Sequence, residues 1–280
     1  MTQLAELLNN LRTILADHSD TPGLDAQVLI AQSLAKPRSW VLAHPEAELT
    51  DEQLEIIQTG LARLKKGEPL PYVLGHWEFY GLDFLITHDT LIPRPETELL
   101  VEHALDWLHE HPKRRYGLDI GTGSGCIAIS LARHIPDLRI VAVDLSFPAL
   151  ITARQNALQH GVLHQVHFVQ TDLILASKIQ FDLICANLPY IPSDQLAQLK
   201  INGKEPTLAL DGGPDGLEPI RRFMESAPSL TKSGGLLLLE IEASQGDALR
   251  DLASKVFPKA QTRLHRDLAE RDRLISIQLF

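Results

Sequence analysis

The first 75 residues carry apolar side chains at the spacing of a helix. Between positions 4 and 15, leucine and isoleucine recur every three or four residues, so they share one helical face. A second pattern of this kind covers residues 28–34. Thr50 suits a helix N-cap and Gln53 follows three residues later, a spacing that predicts a capping box and a helix through Leu64. Residues 1–75 are therefore predicted to form a small helical domain that packs on another element or recognises a partner.

Residues 76–96 have a different character. The segment HWEFYGLDFLIT combines an aromatic run, a central Gly81 and alternating apolar positions, which predicts a β-hairpin. Pro93 and Pro95 then favour an extended backbone. We interpret 76–96 as a hairpin and linker between two domains.

From residue 97 onward, apolar segments with strand and helix character alternate. After a helix from about Thr97 to His109, the predicted strands are Tyr116–Ile120, Leu138–Val143, Val166–Gln170, Phe181–Ala186, Leu236–Ile241 and Leu274–Phe280. The predicted helices between them are Cys126–His134, Phe147–Gln159 and Ala243–Phe257. This alternation predicts that 97–280 form a parallel, doubly wound α/β sheet, and it leaves the direction of the last strand open.

Charge and composition narrow the classes of partner. The formal net charge is −10, and even the densest clusters of basic residues, such as Lys113–Arg115, are short. Proteins that bind phosphate backbones usually carry a clustered basic surface, so this balance favours a protein or small-molecule substrate over nucleic acid. Two cysteines fit a reducing compartment, and neither a signal peptide nor an apolar run long enough for a bilayer is evident. We expect a cytoplasmic protein without a membrane partner.

A glycine-rich segment follows the first predicted strand of the sheet. Its residues, all candidates for cofactor binding, are Gly121, Thr122, Gly123, Ser124 and Gly125. In open α/β sheets, ligands bind outside the carboxyl ends of the strands, where this loop lies. The spacing is G-x-G-x-G rather than the G-x-G-x-x-G of a dinucleotide fingerprint. A tight turn without a ligand is the alternative interpretation.

Two acidic residues follow the next strands. Asp144 ends the second predicted strand, where a carboxylate can accept both ribose hydroxyls of a nucleoside cofactor. It could instead cap the helix that begins near Ser146. Asp172 follows the third strand, where it could accept from an adenine amino group while Leu173 packs on the ring; a simple turn is the alternative.

The tetrapeptide Asn187, Leu188, Pro189 and Tyr190 follows the fourth strand and points to a particular chemistry. An amide nitrogen is a poor nucleophile, so a site that methylates it must hold the NH₂ group in line with the methyl donor. Acceptors must also stabilise its hydrogens as positive charge develops. The side-chain carbonyl of Asn187 and the backbone carbonyl of Leu188 can accept, Pro189 stiffens the loop, and Tyr190 offers an aromatic face. An Asx turn after the strand is the alternative.

These motifs resemble the HemK/PrmC family of release factor glutamine N5-methyltransferases, over nearly the whole chain. Besides the glycine loop and the tetrapeptide, the resemblance is carried by Pro71–Gly75, Phe79–Gly81, Ile92–Glu98, Glu205–Pro206, Ala209–Gly213 and Pro214–Leu217. The family motif is Asn-Pro-Pro-Tyr, and Leu188 departs from it; leucine keeps the backbone carbonyl and is expected to loosen the loop.

The resemblance implies a helical N-terminal domain and a Rossmann-like class I methyltransferase domain with a seven-stranded sheet. It implies S-adenosylmethionine as cofactor and, as substrate, the glutamine of the Gly-Gly-Gln motif of class 1 peptide chain release factors, which act in translation termination. The helical domain would then help to dock the release factor. The expected mechanism is direct methyl transfer without a metal, in which Asn187 and Tyr190 act on the substrate.

Four other functions stay open at this point. A related enzyme methylates a glutamine of a ribosomal protein, and adenine-N6 DNA methyltransferases share the Asn-x-Pro-Tyr pattern but must extrude a base and hold DNA. A non-catalytic adenosylmethionine-binding protein would bind the cofactor without turnover. An oxidoreductase would need NAD, for which the glycine spacing is wrong.

Overall fold

The computed structural model describes residues 3–173, 179–199 and 201–280. By its internal contacts the chain divides into two compact units, Met1–His76 and Trp77–Phe280. The domain boundaries at 75 and 96 stay predictions.

The first unit is helical. Its helices are α1 (Leu4–Leu15), α2 (Pro22–Leu34), α3 (Arg38–Ala43), α4 (Asp51–Lys65) and α5 (Leu70–Leu74). The predicted capping box at the start of α4 is confirmed: the backbone N–H of Gln53 donates to Thr50 Oγ1 at 3.3 Å, and the Thr50 N–H donates to Gln53 Oε1 at 3.0 Å. A Cβ at Gly60 would lie 2.5 Å from Leu29 Cδ1, so glycine permits the close approach of α2 and α4.

The aromatic segment at the start of the second unit forms a two-stranded sheet. Its strands are β1 (His76–Phe79) and β2 (Leu82–Leu85). The two residues between them, Tyr80 and Gly81, have φ angles of 51° and 70°. Positive φ at both positions is the geometry of a type I′ turn, which matches the twist of a tight hairpin.

The rest of the second unit is a seven-stranded sheet with helices between its strands. The strands are β3 (Tyr116–Ile120), β4 (Arg139–Asp144), β5 (Val166–Gln170), β6 (Phe181–Ala186), β7 (Thr231–Glu240), β8 (Gln261–Arg266) and β9 (Asp272–Gln278). The helices are α6 (Glu98–Glu110), α7 (Cys126–His134), α8 (Phe147–Gln159), α9 (Ser193–Leu196), α10 (Glu218–Leu230) and α11 (Gly246–Val256). No helix in the described part of the chain has both the length and the apolar character needed to cross a bilayer.

The strand order is β5-β4-β3-β6-β7-β9-β8. Strands β3 to β7 pair in parallel, and β9 pairs antiparallel with both β7 and β8. The predicted doubly wound α/β fold with seven strands is therefore confirmed, and β9 has the direction that the sequence left open.

The register of the central strands determines which residues meet at the carboxyl edge of the sheet. Ile120, the last residue of β3, pairs with Val143 of β4 on one side and with Ala186 of β6 on the other. The order of the strands reverses at β3, which is where open α/β sheets form their ligand crevice. Residues that directly follow these three positions consequently emerge side by side.

We expect that replacing Thr50 by alanine lowers the stability of the helical unit by about 1 kcal/mol, because the N–H of Gln53 loses its side-chain acceptor. Thr50→Ser keeps the hydroxyl and should stay close to the parent. Urea unfolding of the full chain, followed by circular dichroism, measures both variants, and equal loss in both would contradict a capping role.

Candidate active site

A cavity of about 450 Å³ opens at the carboxyl edge of the central strands. Eight of the residues predicted from the sequence as site residues line it: Gly121, Gly123, Asp144, Asp172, Leu173, Asn187, Leu188 and Pro189. The other four, Thr122, Ser124, Gly125 and Tyr190, are not among the lining residues. The cavity thus brings the glycine loop, the two acidic residues and the tetrapeptide together.

The three glycines of the loop have positive φ angles: 71° at Gly121, 55° at Gly123 and 83° at Gly125. Side chains are disfavoured in this conformation. At Gly125 a Cβ would also lie 2.8 Å from Ile129 Cδ1, so this glycine lets the loop pack closely against α7. Thr122 points inward, where its hydroxyl donates to Asp119 Oδ2 at 2.6 Å. The backbone of Gly121 and Gly123 therefore faces the cavity, whereas the Thr122 side chain lies in the interior of the domain.

Asp144 is held in one orientation by backbone donors. Gly123 N–H donates to its Oδ2 and Ser146 N–H to its Oδ1, both at 2.8 Å. The N-cap of α8 is Ser146, whose Oγ accepts from the Ala149 N–H at 3.2 Å. Burial raises the pKa of Asp144, and these backbone hydrogen bonds oppose the rise. Asp144 thus faces the cavity without being needed as the helix cap.

Asp172 and Leu173 lie on the other side of the cavity. Arg222 from α10 donates to Asp172 Oδ2 at 2.7 Å, and both side chains are about half exposed. Leu173 has a φ of 58°, which is uncommon for a leucine, and its side chain packs against the apolar core of the sheet as well as lining the cavity. The partner Arg222 carries no motif that the sequence analysis could have recognised.

Asn187 is oriented by a chain of hydrogen bonds. Its Nδ2 donates to Thr97 Oγ1 at 3.1 Å, and the Thr97 hydroxyl donates to Glu240 Oε2 at 2.6 Å. Because the Thr97 proton is committed to Glu240, Thr97 can only accept from Asn187. The amide NH₂ group of Asn187 is therefore directed at Thr97, and its carbonyl oxygen remains for a ligand in the cavity.

The side chains of Leu188 and Tyr190 anchor the tetrapeptide loop to its surroundings. Leu188 belongs to the apolar core of the sheet and is 2% exposed. A Cβ at Gly121 would lie 3.3 Å from Leu188 Cδ2, so the leucine side chain fills the space under the glycine loop. The Tyr190 hydroxyl donates to Glu240 Oε1 at 3.4 Å, and burial raises the pKa of Tyr190.

A second segment, residues 209–217, packs directly on the backbone of the tetrapeptide. A Cβ at Gly212 would lie 2.8 Å from the Cα of Tyr190, and one at Gly216 would lie 2.3 Å from its carbonyl oxygen. Gln245 Nε2 donates to the same carbonyl at 3.0 Å and to the carbonyl of Gly216 at 3.1 Å. The glycines of this segment are thus required by backbone-to-backbone packing.

Sequence reasoning missed the residues that support the site. Thr97, Glu240 and Gln245 are all buried, and each lies in a different segment of the chain. A charged residue at the end of an otherwise apolar strand was the available signal for Glu240. Arg94 pairs with the buried Glu205 and so ties the segment after the hairpin to the one before residue 209.

Two family models match the chain. One, described as PrmC N-terminal domain, covers residues 6–75, and the other, described as Methyltransferase small domain, covers residues 95–202. Curated relatives match along almost the full length. The release factor glutamine methyltransferase of Moorella thermoacetica is 41% identical over 98% of this chain and 97% of its own length. The release factor glutamine methyltransferase of Chlorobaculum tepidum is 36% identical over 98% of this chain and 96% of its own length. The one of Escherichia coli is 39% identical over 83% of this chain and 83% of its own length.

Solved structures share the fold at low sequence identity. The hMettl16 catalytic domain in complex with MAT2A 3′UTR hairpin 6 superposes with a TM-score of 0.56 and 17% identity, over 82% of this chain and 83% of that one. Human methyltransferase 10 domain containing protein gives a TM-score of 0.50 and 20% identity, over 71% and 90%. These likenesses support the Rossmann-like methyltransferase fold of the sheet.

Asp119 lies at the base of the glycine loop, and its titration is expected to make the free energy of unfolding depend on pH. Burial raises the pKa of Asp119 from its ordinary value of 3.8 to about 7. Between these values the folded state holds more protons than the unfolded state, so the free energy of unfolding falls as pH rises. Each pKa unit is worth about 1.4 kcal/mol.

We expect Asp119→Asn to lose less stability than the parent between pH 5 and pH 8, since asparagine does not titrate. The decline should not vanish, because burial also raises the pKa of Glu240 to about 7. Urea unfolding at several pH values measures the difference, and parallel curves would contradict the assignment.

Proposed function

The chain belongs to the family of release factor glutamine methyltransferases, and we propose that it methylates the glutamine of the Gly-Gly-Gln motif in class 1 peptide chain release factors. The methyl group would pass from the sulfonium sulfur of S-adenosylmethionine, whose bond to the methyl carbon breaks, to the side-chain amide nitrogen, N5, which then releases one of its two protons to solvent. The observation that carries the proposal is the orientation of Asn187, whose carbonyl oxygen is left for a ligand at the cavity.

The residues of the cavity fit S-adenosylmethionine. Gly121 and Gly123 leave room beside the backbone, and a Cβ at Gly121 would narrow the cradle against Leu188. Each oxygen of Asp144 accepts one backbone N–H and keeps a further lone pair for a ribose hydroxyl. Asp172 and Leu173 would contact the adenine. When bound, the cofactor supplies an electrophilic methyl group.

The tetrapeptide would hold the substrate glutamine. The carbonyl oxygens of Asn187 and Leu188 accept from the two hydrogens of its NH₂ group, which fixes the direction of the nitrogen lone pair. The same acceptors stabilise the nitrogen as it becomes positive. Pro189 restricts the backbone between Leu188 and Tyr190, and the ring of Tyr190 packs on the planar amide.

The helical unit, matched by the PrmC N-terminal domain model, is the proposed docking element for the release factor. Because release factors act at the ribosome, the proposed site of action is the cytoplasm. The two free cysteines, Cys126 and Cys185, fit that reducing compartment. No nucleic acid or membrane is part of the proposed reaction.

We expect Asp144→Asn to weaken S-adenosylmethionine binding about tenfold or more, because the amide NH₂ of asparagine must face one of the two backbone donors and loses an acceptor for ribose. Titration calorimetry measures the dissociation constant. Asp137→Asn, an exposed carboxylate near the opposite end of β4, should bind as the parent does. Unchanged affinity in Asp144→Asn, with lower stability, would assign Asp144 a structural role alone.

The proposed substrate is tested by transfer of labelled methyl from S-adenosylmethionine to a purified class 1 release factor. We expect label on the parent release factor and none on a variant with Gln→Ala in its Gly-Gly-Gln motif. Asn187→Ala should lower kcat about a hundredfold or more, since one acceptor of the developing charge is lost. Absence of label on a release factor, with cofactor bound, would refute the substrate and direct the test to a ribosomal protein and then to DNA.

A further inference from the structure

Glu240 is a buried carboxylate next to the tetrapeptide, and in the proposed reaction it contacts neither the substrate amide nor the cofactor. It is the last residue of β7 and is 2% exposed. Ala186 of β6 pairs with Leu239 of β7, so Asn187 and Glu240 are the next residues along two paired strands. A buried charge is costly unless it is hydrogen-bonded, and such groups concentrate at functional sites.

Both oxygens of Glu240 accept from hydroxyl groups that bear on the tetrapeptide. Oε2 accepts from Thr97, and Oε1 accepts from Tyr190. In the part of the chain that the structure describes, these are the only hydrogen bonds of this carboxylate, and no lysine or arginine forms a salt bridge with it. Arg273 lies nearby, but its guanidinium donates to Asp267 and to the carbonyl of Ile241.

The direction of these hydrogen bonds depends on the carboxylate being an acceptor at both oxygens. A carboxylate has no proton to give, so Thr97 and Tyr190 must both donate. Thr97 then has lone pairs alone to offer Asn187, which turns the Asn187 NH₂ group inward. A proton on Glu240, or an amide in its place, would remove one of the two acceptors, and Thr97 or Tyr190 would have to reverse.

The negative charge of Glu240 also polarises the Asn187 amide through the hydrogen bonds that connect them. A chain of hydrogen bonds that ends on an anion polarises each member, so the Asn187 carbonyl oxygen becomes a stronger acceptor. Methylation places positive charge on the substrate amide nitrogen, which that oxygen would contact. A buried anion two hydrogen bonds away therefore stabilises the transition state more than the ground state.

We propose that Glu240 is the positioning residue of this active site: through Thr97 it sets the direction of the Asn187 amide and strengthens its carbonyl as an acceptor, while its other oxygen holds the Tyr190 hydroxyl. The inference rests on the proposed function in that the acceptor serves a substrate amide. The groups that face Glu240 are Thr97 and Glu96 from the turn before α6, Tyr190 after β6, Arg273 on β9 and Cys126 on α7. Burial raises the pKa of Glu240 to about 7, against the opposing effects of Thr97, Arg273 and Tyr190.

The first test needs no methyl acceptor. In the ¹⁵N-labelled full-length protein, the side-chain amide resonance of Asn187, identified by its loss in Asn187→Ala, should titrate with a midpoint near pH 7. The titration should be absent in Glu240→Gln and intact in Asp182→Asn. Asp182 is a buried carboxylate that instead pairs with Arg114 and Lys232. An Asn187 amide that titrates equally in Glu240→Gln, or whose resonance at pH 8 is the same in Glu240→Gln as in the parent, overturns the proposal.

The second test separates the hydroxyl of Thr97 from its shape. Thr97→Val removes the relay at constant size and should lower kcat about tenfold to a hundredfold, with S-adenosylmethionine affinity unchanged. Thr97→Ser restores the hydroxyl and should recover most of kcat. With saturating cofactor, kcat of the parent should fall below about pH 7, and kcat of Glu240→Gln should be lower but flat across that range.

The outcomes distinguish this inference from the proposed function. If the parent labels no release factor, the proposed function fails, and the Asn187 titration still decides whether Glu240 controls the amide. If the parent is active and Thr97→Val matches Thr97→Ser in kcat, the inference fails while the proposed function stands.

Discussion

Parallel pairing of β3 with both β4 and β6 is the constraint on which the rest of this molecule depends. Parallel strands end at the same edge of a sheet, and the register places Ile120, Val143 and Ala186 level with one another. The glycine loop, Asp144 and Asn187 follow at once, so three segments far apart in sequence meet within one cavity. A shift of one residue between β3 and β4 would move Asp144 away from the glycine loop, and a shift between β3 and β6 would move the tetrapeptide away from it.

Much of this arrangement could be predicted because buried parallel strands leave continuous apolar runs. β3, β5 and β6 have the first and last residues that the sequence predicted, as do α7 and α8. β7 begins at Thr231 rather than Leu236, since the polar residues and two glycines before Leu236 concealed it. β8 was missed because it is a polar strand that pairs only with β9 at the end of the sheet, and α10 was missed because it contains Pro228.

The site divides in the same way. Motif residues could be predicted because a loop directly after a strand has a known position in this class of fold. The sequence did not reveal the contacts made by Thr97, Glu240 and Gln245. Each contact joins segments more than fifty residues apart, so it depends on how the chain folds. Leu188 illustrates the difference: its departure from the family motif was visible, but its burial beneath Gly121 follows only from the folded packing. The residues that form a site can thus be more visible in a sequence than those that hold it in place.

The packing of residues 209–217 on Tyr190 has a consequence for how this site can change in evolution. Gly212 and Gly216 lie so close to the Tyr190 backbone that a Cβ atom at either position would clash with it. Gln245 donates to both segments at once, which makes it a third member of the same group. Substitutions that change substrate preference can therefore accumulate at positions that face away from this contact. The positions whose backbones face each other can change only if both segments change together.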